Sequence, residues 1–171
     1  MHKQMIRAQL NVAGSYLTLI VEQLDAYLDY HQLDNLMEEQ GSKEKRYYRS
    51  LLKSLRRLEV FCDEAKDAIA VLLQSEGFKT AAAERTLYGI YHQCIAEFFA
   101  PKSDTWYEDS RAAYTGESAI LYHHEPPLSF KKLMLKLESS FQKVRQELEC
   151  YETNNQSKAA LEGNKKKGPA S

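Results

Sequence analysis

The sequence is poor in the residues that form turns. Its 171 residues include seven glycines and four prolines, whereas a β-rich chain of this length needs such residues at every hairpin. We therefore expect long helices. The length suffices for one domain with a hydrophobic core, which the 43% apolar content can fill.

Cysteine is also scarce, and long apolar runs are missing. Cys62, Cys94 and Cys150 are widely spaced and odd in number, which argues against a disulfide framework and favours a reduced, cytoplasmic protein. The longest apolar stretch near the start, residues 12–21, is interrupted by polar residues and is too short to span a membrane. No small-residue cleavage site follows it, so we expect no signal peptide.

Neither sign of charge dominates. The chain carries 23 basic and 24 acidic residues, so no global field directs it to nucleic acid or to an anionic membrane. The sequence also lacks a Gly-rich phosphate loop, a Gly-x-Ser-x-Gly motif and a His-Glu-x-x-His motif. We therefore predict no catalytic residue and no cofactor.

Four segments carry apolar residues at alternating steps of three and four, the period of an amphipathic helix. These segments run from Ile6 to about residue 39, from Tyr48 to Leu72, from Leu87 to Phe98 and from Phe130 to Tyr151. They predict an all-α, up-down-up-down four-helix bundle in a single domain, residues 1–153. Residues 154–171 are rich in lysine and lack an apolar period, and we expect a disordered tail.

The connection between the third and fourth helices, residues 101–127, is unusually long. Connections in helical bundles usually have about 2 to 8 residues, and the aromatic content of this one argues against disorder. Since the first two helices are predicted to overshoot the third, we expect this loop to cover their apolar flank. Trp106 is then at least half buried against helix one or two. Residues 114–117, Tyr-Thr-Gly-Glu, are suited to turn a small hairpin.

Opposite charges meet at the turn between the first two helices. The acidic residues ending helix one are Glu22, Asp25, Asp29, Asp34, Glu38 and Glu39. The basic residues opening helix two are Lys43, Lys45, Arg46, Arg49, Lys53, Arg56 and Arg57. Each block opposes its helix dipole, so we expect the two blocks to pair across the antiparallel helices. The alternative is a binding site for an acidic protein or a nucleic-acid backbone, formed by Arg46, Arg49, Lys53 and Arg57 with Tyr47 and Tyr48.

Some residues have the chemistry of metal ligands or acid–base catalysts. They are His92 and Cys94 in helix three, and Glu97, Glu108, Asp109, His123, His124 and Glu125 in or near the long loop. Their spacing matches no metal motif, since no glutamate stands three residues before a histidine. We interpret Cys94 as a buried core residue and the carboxylates as solvated or capping groups, and we predict no metal site.

The loop also carries a family resemblance. The run from Phe98 to Asp104, continuing through residues 106–111 to Tyr114-Thr115-Gly116, resembles a family of short uncharacterised proteins from Bacillus-type Gram-positive bacteria. The resemblance covers residues 1–153. The resemblance implies a bacterial, cytoplasmic setting, but it implies no particular activity.

The leading functional hypothesis is a non-enzymatic protein-interaction module. Tyrosine, tryptophan and arginine are enriched at interface hot spots, and the candidate contact residues are Trp106, Tyr107, Glu108, Asp109, Arg111 and Tyr114 of the loop and Arg46, Arg49 and Lys53 of helix two. The main alternative is a small enzyme or ligand-binding protein with a pocket under the loop. A weaker alternative is a nucleic-acid binder acting through helix two.

Overall fold

A computed structural model describes residues 2–40, 44–109, 111 and 118–153. Its helices are α1 (His2–Tyr30), α2 (Leu33–Gln40), α3 (Lys45–Gln74), α4 (Thr80–Gly89), a π-helical segment (Ile90–Ile95), α5 (Ala96–Phe99), α6 (Leu128–Glu147) and a final 3₁₀ turn (Glu149–Tyr151). Its two strands are β1 (Trp106–Glu108) and β2 (Ile120–Tyr122). The predicted mostly helical fold is confirmed. The predicted tail, residues 154–171, and the predicted hairpin turn, residues 114–117, lie outside the described residues.

The first predicted helix is interrupted, so the expectation of one helix to about residue 39 is wrong. α1 ends at Tyr30 and α2 begins at Leu33. The ring Nδ1 of His31 donates to the backbone carbonyl of Tyr27 at 2.9 Å. The backbone N–H of Gln32 donates to the side-chain oxygen of Asn35 at 3.0 Å. In a capping box, the side chain of the third helical residue accepts from the backbone N–H of the N-cap residue. The second bond has this form, with Gln32 as the N-cap of α2.

The third predicted helix is continuous but changes its winding. α4, the π-helical segment and α5 follow one another without a gap from Thr80 to Phe99, and the helix stops just before Pro101, as predicted. A π-helix bonds residue i to residue i+5, one residue further than an α-helix, so the side chains after it point in directions that differ from those of a continuous α-helix. Cys94, inside this segment, is 1% exposed and its thiol donates to the carbonyl of Phe61 at 3.4 Å, which confirms it as a core residue.

α1 packs against both α3 and α6. A glycine at position 14 permits the approach to α3, because a Cβ there would lie 3.2 Å from Cγ2 of Ile69. α6 runs antiparallel to α1: the Tyr27 hydroxyl bonds Ser129 at 3.0 Å, and the Tyr151 hydroxyl donates to Gln9 at 2.8 Å. The core between these helices includes Leu55 and Leu137, which belong to the apolar periods of the second and fourth predicted helices and are both 0% exposed.

The long connection lies against the first half of α3, as the predicted covering role requires. The Tyr47 hydroxyl donates to the carbonyl of Thr105 at 2.7 Å, and the hydroxyls of Ser54 and Ser103 bond at 2.7 Å. Both contacts lie in the part of α3 nearest its start. The described part of the connection is therefore a folded layer against α3, and it includes the β1–β2 hairpin. Within the described residues, no helix is long and apolar enough to cross a membrane.

Candidate functional site

The hairpin sorts its side chains onto two faces. Its antiparallel register pairs Trp106 with Tyr122, Tyr107 with Leu121 and Glu108 with Ile120. Successive side chains of a strand point to opposite faces: Trp106 and Ile120 are 2% and 7% exposed, whereas Tyr107 and Leu121 are each 43% exposed. The hairpin thus has an inner face in the core and an outer face formed by an aromatic–aliphatic pair.

Trp106 anchors the inner face. Its indole N–H donates to the carbonyl of Phe98 at 2.6 Å, and its ring centroid lies 5.8 Å from that of Phe130 in α6. The predictions of burial and of a satisfied N–H are confirmed. Its aromatic neighbour Phe130 belongs to the last helix, and the expected packing of the ring against helix one or two stays a prediction. Because the side chain is buried, Trp106 holds the hairpin in place and offers no surface to a partner.

The polar loop residues are also engaged within the protein. Glu108 accepts two hydrogen bonds from Arg145 of α6, at 3.0 and 2.8 Å. The guanidinium of Arg145 in turn lies 3.7 Å from the ring centroid of Phe99. Asp109 accepts from the backbone N–H of Arg111 at 3.0 Å, leaving the Arg111 side chain exposed. Tyr114, the last of the predicted loop contacts, lies outside the described residues.

A buried carboxylate that we did not single out from the sequence supports β2. Glu138 of α6 is 6% exposed and accepts from the backbone N–H of Ala119 at 3.0 Å. Burial raises the pKa of the Glu138 carboxyl, and the backbone N–H groups of Ala119 and Ile120 offset part of that rise. The sequence did carry one signal for this carboxylate: Glu138 directly follows Leu137, a residue of the apolar period, and a carboxylate beside a core position needs a partner.

Histidine adds to the outer face of the hairpin. The ring of His123 lies 5.1 Å from that of Tyr107, and its Nε2 is 4.0 Å from the carboxylate of Asp104. Tyr107, Leu121, His123 and Asp104 are all exposed. We call Tyr107, Leu121 and His123 the hairpin patch.

Three of the predicted basic residues form a second exposed feature. Arg46, Arg49 and Lys53 are exposed on α3, and no carboxylate of the described residues lies within 4 Å of their charged groups. We call these three residues the basic row. Arg46 directly precedes Tyr47, whose ring lies 4.9 Å from that of His124, and Lys53 directly precedes Ser54. Because the loop contacts Tyr47 and Ser54, it lies beside the segment of α3 that carries the basic row.

The expected pairing between the acidic and basic blocks is absent from the described residues. The break after Tyr30 places Asp34, Glu38 and Glu39 on α2, and Glu39 binds the backbone N–H and hydroxyl of Ser129 at 2.8 and 2.6 Å. Arg57 lies 3.8 Å from the buried Glu97. Each of these two charges thus has a partner outside the opposing block.

The three candidate histidines have separate surroundings. Nε2 of His92 donates to the carbonyl of Tyr151 at 2.9 Å, whereas His123 lies beside Tyr107 and His124 beside Tyr47. Across residues 2–40, 44–109, 111 and 118–153, no three metal-ligand side chains come together.

The fold and the site define a class: a helical protein that carries a short β-hairpin anchored by a buried tryptophan, with an exposed aromatic and basic surface beside it. A family described as "Protein of unknown function (DUF3907)" matches residues 10–157. The chain belongs to this family, which confirms the resemblance found in the sequence.

A relative in Bacillus subtilis (strain 168), named "Uncharacterized protein YpuI", is 44% identical over 161 residues. The match covers 94% of this chain and 89% of that protein. No solved structure matches the chain significantly.

Proposed function

We propose that this protein is a non-enzymatic interaction module of the bacterial cytoplasm. It binds a protein segment that combines an apolar side chain with acidic residues. The supporting observation is the exposed cross-strand pair Tyr107–Leu121, whose side chains are each 43% exposed. In this proposal the helices form an up-down-up-down bundle whose purpose is to hold that pair rigidly.

The inner face explains why the outer face is suited to binding. Trp106, Ile120 and Tyr122 tie the hairpin to the core through ring contacts and the Phe98 carbonyl, so the outer side chains need little further ordering when a partner binds. Ordering of side chains and loops is a major cost of association. A rigid, exposed aromatic residue is therefore an efficient contact.

The basic row supplies the charge preference. Each of its side chains lacks a carboxylate within 4 Å among the described residues, so its charge remains available for an acidic partner. Charged groups at the rim of an interface mainly increase the association rate and select the partner. The partner's acidic residues are thus placed beside α3 and its apolar residue on the hairpin patch.

A photo-crosslinking amino acid at position 107 tests the proposal in living cells. A matched probe at Val71, which is 65% exposed near the other end of α3, reports non-specific neighbours. We expect defined crosslinked species from position 107 that are absent from position 71. These species should disappear when Arg46, Arg49 and Lys53 are all changed to glutamine, but not when the exposed Lys79 and Arg85 are changed.

Equal crosslinking from both positions would exclude the proposal. Crosslinks to nucleic acid, with binding that weakens steeply as salt increases, would favour the nucleic-acid alternative instead. A small enzyme or ligand-binding protein with its site under the loop predicts no protein crosslinks from position 107. On the described inner face, that space holds the buried Trp106 and Ile120.

A further inference from the structure

We propose that the groove between α1 and α6 binds a small anion that has an apolar body and an N–H donor. The groove has a volume of about 360 Å³, within the range of roughly 300 to 1,000 Å³ of small-molecule sites. It uses none of the residues of the hairpin patch or the basic row. The inference is therefore independent of the proposed interaction function.

The floor of the groove is apolar and aromatic. Ala26 and Tyr27 contribute from α1 and Leu133 from α6. The rings of Tyr27 and His31 stack with centroids 4.0 Å apart and an interplanar angle of 9°, and the bond from His31 to the Tyr27 carbonyl fixes this arrangement. The stacked pair gives a ligand a preformed flat wall beside the apolar floor.

Two lysines supply the charge. Lys132 and Lys136 line the groove one turn apart on α6, and neither has a carboxylate within 4 Å in the part of the chain that the structure describes. Like charges four residues apart destabilise a helix. Their shared position is unfavourable for the fold alone, and an anion between them removes the repulsion.

An unpaired acceptor stands opposite the lysines. The side-chain oxygen Oε1 of Gln23 is buried and has no hydrogen-bond partner among the described residues, although Gln23 lines the same groove. Because α1 and α6 are antiparallel and Tyr27 bonds Ser129, Gln23, one turn earlier in α1, faces the stretch of α6 that carries the lysines. A ligand N–H satisfies this acceptor, which is costly to bury alone.

Glu39 sets the orientation of the ligand. Its carboxylate already binds the backbone N–H and hydroxyl of Ser129 at the start of α6, so that end of the groove carries a negative charge. A ligand anion is repelled there and directed toward Lys132 and Lys136. The apolar body then lies over Tyr27 and Leu133.

Titration of the nitrogen-15-labelled full chain with N-acetyl-L-phenylalanine tests this site by NMR, because that probe has a carboxylate, an N–H donor and an apolar ring. We expect shift changes concentrated on residues 23–31 and 129–136. Two related probes divide the contributions: N-acetyl-L-phenylalaninamide lacks the charge and phenylacetate lacks the N–H. Each should bind about tenfold more weakly, the size of one lost charge-assisted or buried hydrogen bond.

Variants assign each contribution to a side chain. The double change Lys132→Gln and Lys136→Gln should abolish the preference for the carboxylate over the amide, and Gln23→Met should abolish the preference for the N–H over phenylacetate. Lys143→Gln, an exposed lysine elsewhere on α6, should change neither. Melting temperatures verify that all variants fold.

Four results would overturn the proposal: no shift with any probe, shifts scattered over the surface, equal binding of acid and amide, or the same shifts with inorganic phosphate alone. The last outcome means an adventitious ion only. Crosslinking from position 107 remains unchanged in the lysine variants if the two sites are independent, so failure of this inference is distinguishable from failure of the proposed function.

Discussion

Arg145 donates two hydrogen bonds to the carboxylate of Glu108, at 3.0 and 2.8 Å, across the gap between α6 and the hairpin. Both side chains are shielded, with 22% and 19% exposure, and the guanidinium also stacks on Phe99. Such a fork-shaped pair fixes orientation as well as distance. It thereby fixes the hairpin relative to the last helix.

Changing Arg145 to lysine should loosen the hairpin and leave the helices folded. Lysine keeps the charge but loses the fork geometry and the flat stacking on Phe99. We expect amide hydrogen exchange in 106–108 and 120–122 to accelerate about tenfold, the equivalent of one weakened charged hydrogen bond. The matched control is the same substitution at an exposed arginine of α3, Arg56→Lys. Unchanged exchange in the Arg145 variant would show that the fork does not hold the strands.

Replacing Trp106 with alanine should remove the hairpin's anchor. The indole is 2% exposed, and comparable truncations of buried aromatic residues cost about 3 to 5 kcal/mol. Since this is the single tryptophan, its emission in the wild type should be blue-shifted and report this site alone. We expect rapid proteolysis within 101–127 while far-UV circular dichroism stays helical. Trp106→Phe, which keeps most of the ring but loses the donor to Phe98, should be intermediate.

Core truncation should distinguish the buried and exposed faces of α6. Leu137 is 0% exposed and Leu135 is 55% exposed. Leu137→Ala should lower the free energy of unfolding by about 2 to 5 kcal/mol, as should Leu55→Ala in α3. Leu135→Ala should change it by less than about 0.5 kcal/mol. Urea denaturation of the three variants measures these differences, and equal losses for Leu137 and Leu135 would mean the wrong face is buried.

Glu138 should make stability depend on pH. Burial raises the pKa of its carboxyl above the ordinary 4.5, so the folded protein binds this proton more tightly than the unfolded chain does. The contribution to stability is then fully present below the ordinary pKa and is lost as pH rises through the folded pKa.

Glu138→Gln keeps an acceptor for the Ala119 amide and cannot ionise. The free energy of unfolding of the variant minus that of the wild type should therefore grow as pH rises from about 4 to 7. Chemical denaturation at several pH values measures this difference. A difference that stays constant would show that the carboxyl is not desolvated. Glu149→Gln, at an exposed position in the 3₁₀ turn that follows the helix, is the matched control.

The helices were predictable where the apolar period alone determines them. α3 and α6 carry sustained apolar periods. The end of α3 is followed by Gly77, whose φ of 65° suits a residue without a side chain. The break between α1 and α2 was not predictable from periodicity. It depends on the side chains of His31 and Asn35 bonding to nearby backbone, and nothing in the apolar pattern marks them.

The candidate surface was only partly predictable. A hairpin in the loop and a buried Trp106 followed from composition, but the facing of Tyr107 and Leu121 depends on the strand register. The error about the charged blocks follows from the missed break, because α2 carries Glu39 to the start of α6. The place of Glu138 beside the core residue Leu137 was a signal that it needs a partner, but the partner itself, the backbone N–H of Ala119, is a group that no sequence pattern reveals.

The bond from Trp106 to the Phe98 carbonyl also has a kinetic consequence. Two strands of three residues each do not form a stable hairpin in water by themselves, so we expect β1 and β2 to pair only after α5 and α6 supply Phe98 and Phe130. The expected order of assembly is helices first and hairpin last. In a refolding experiment, circular dichroism at helical wavelengths should recover before the tryptophan emission shifts to the blue. The delay between the two signals would measure how long after helix formation the hairpin closes on the helices.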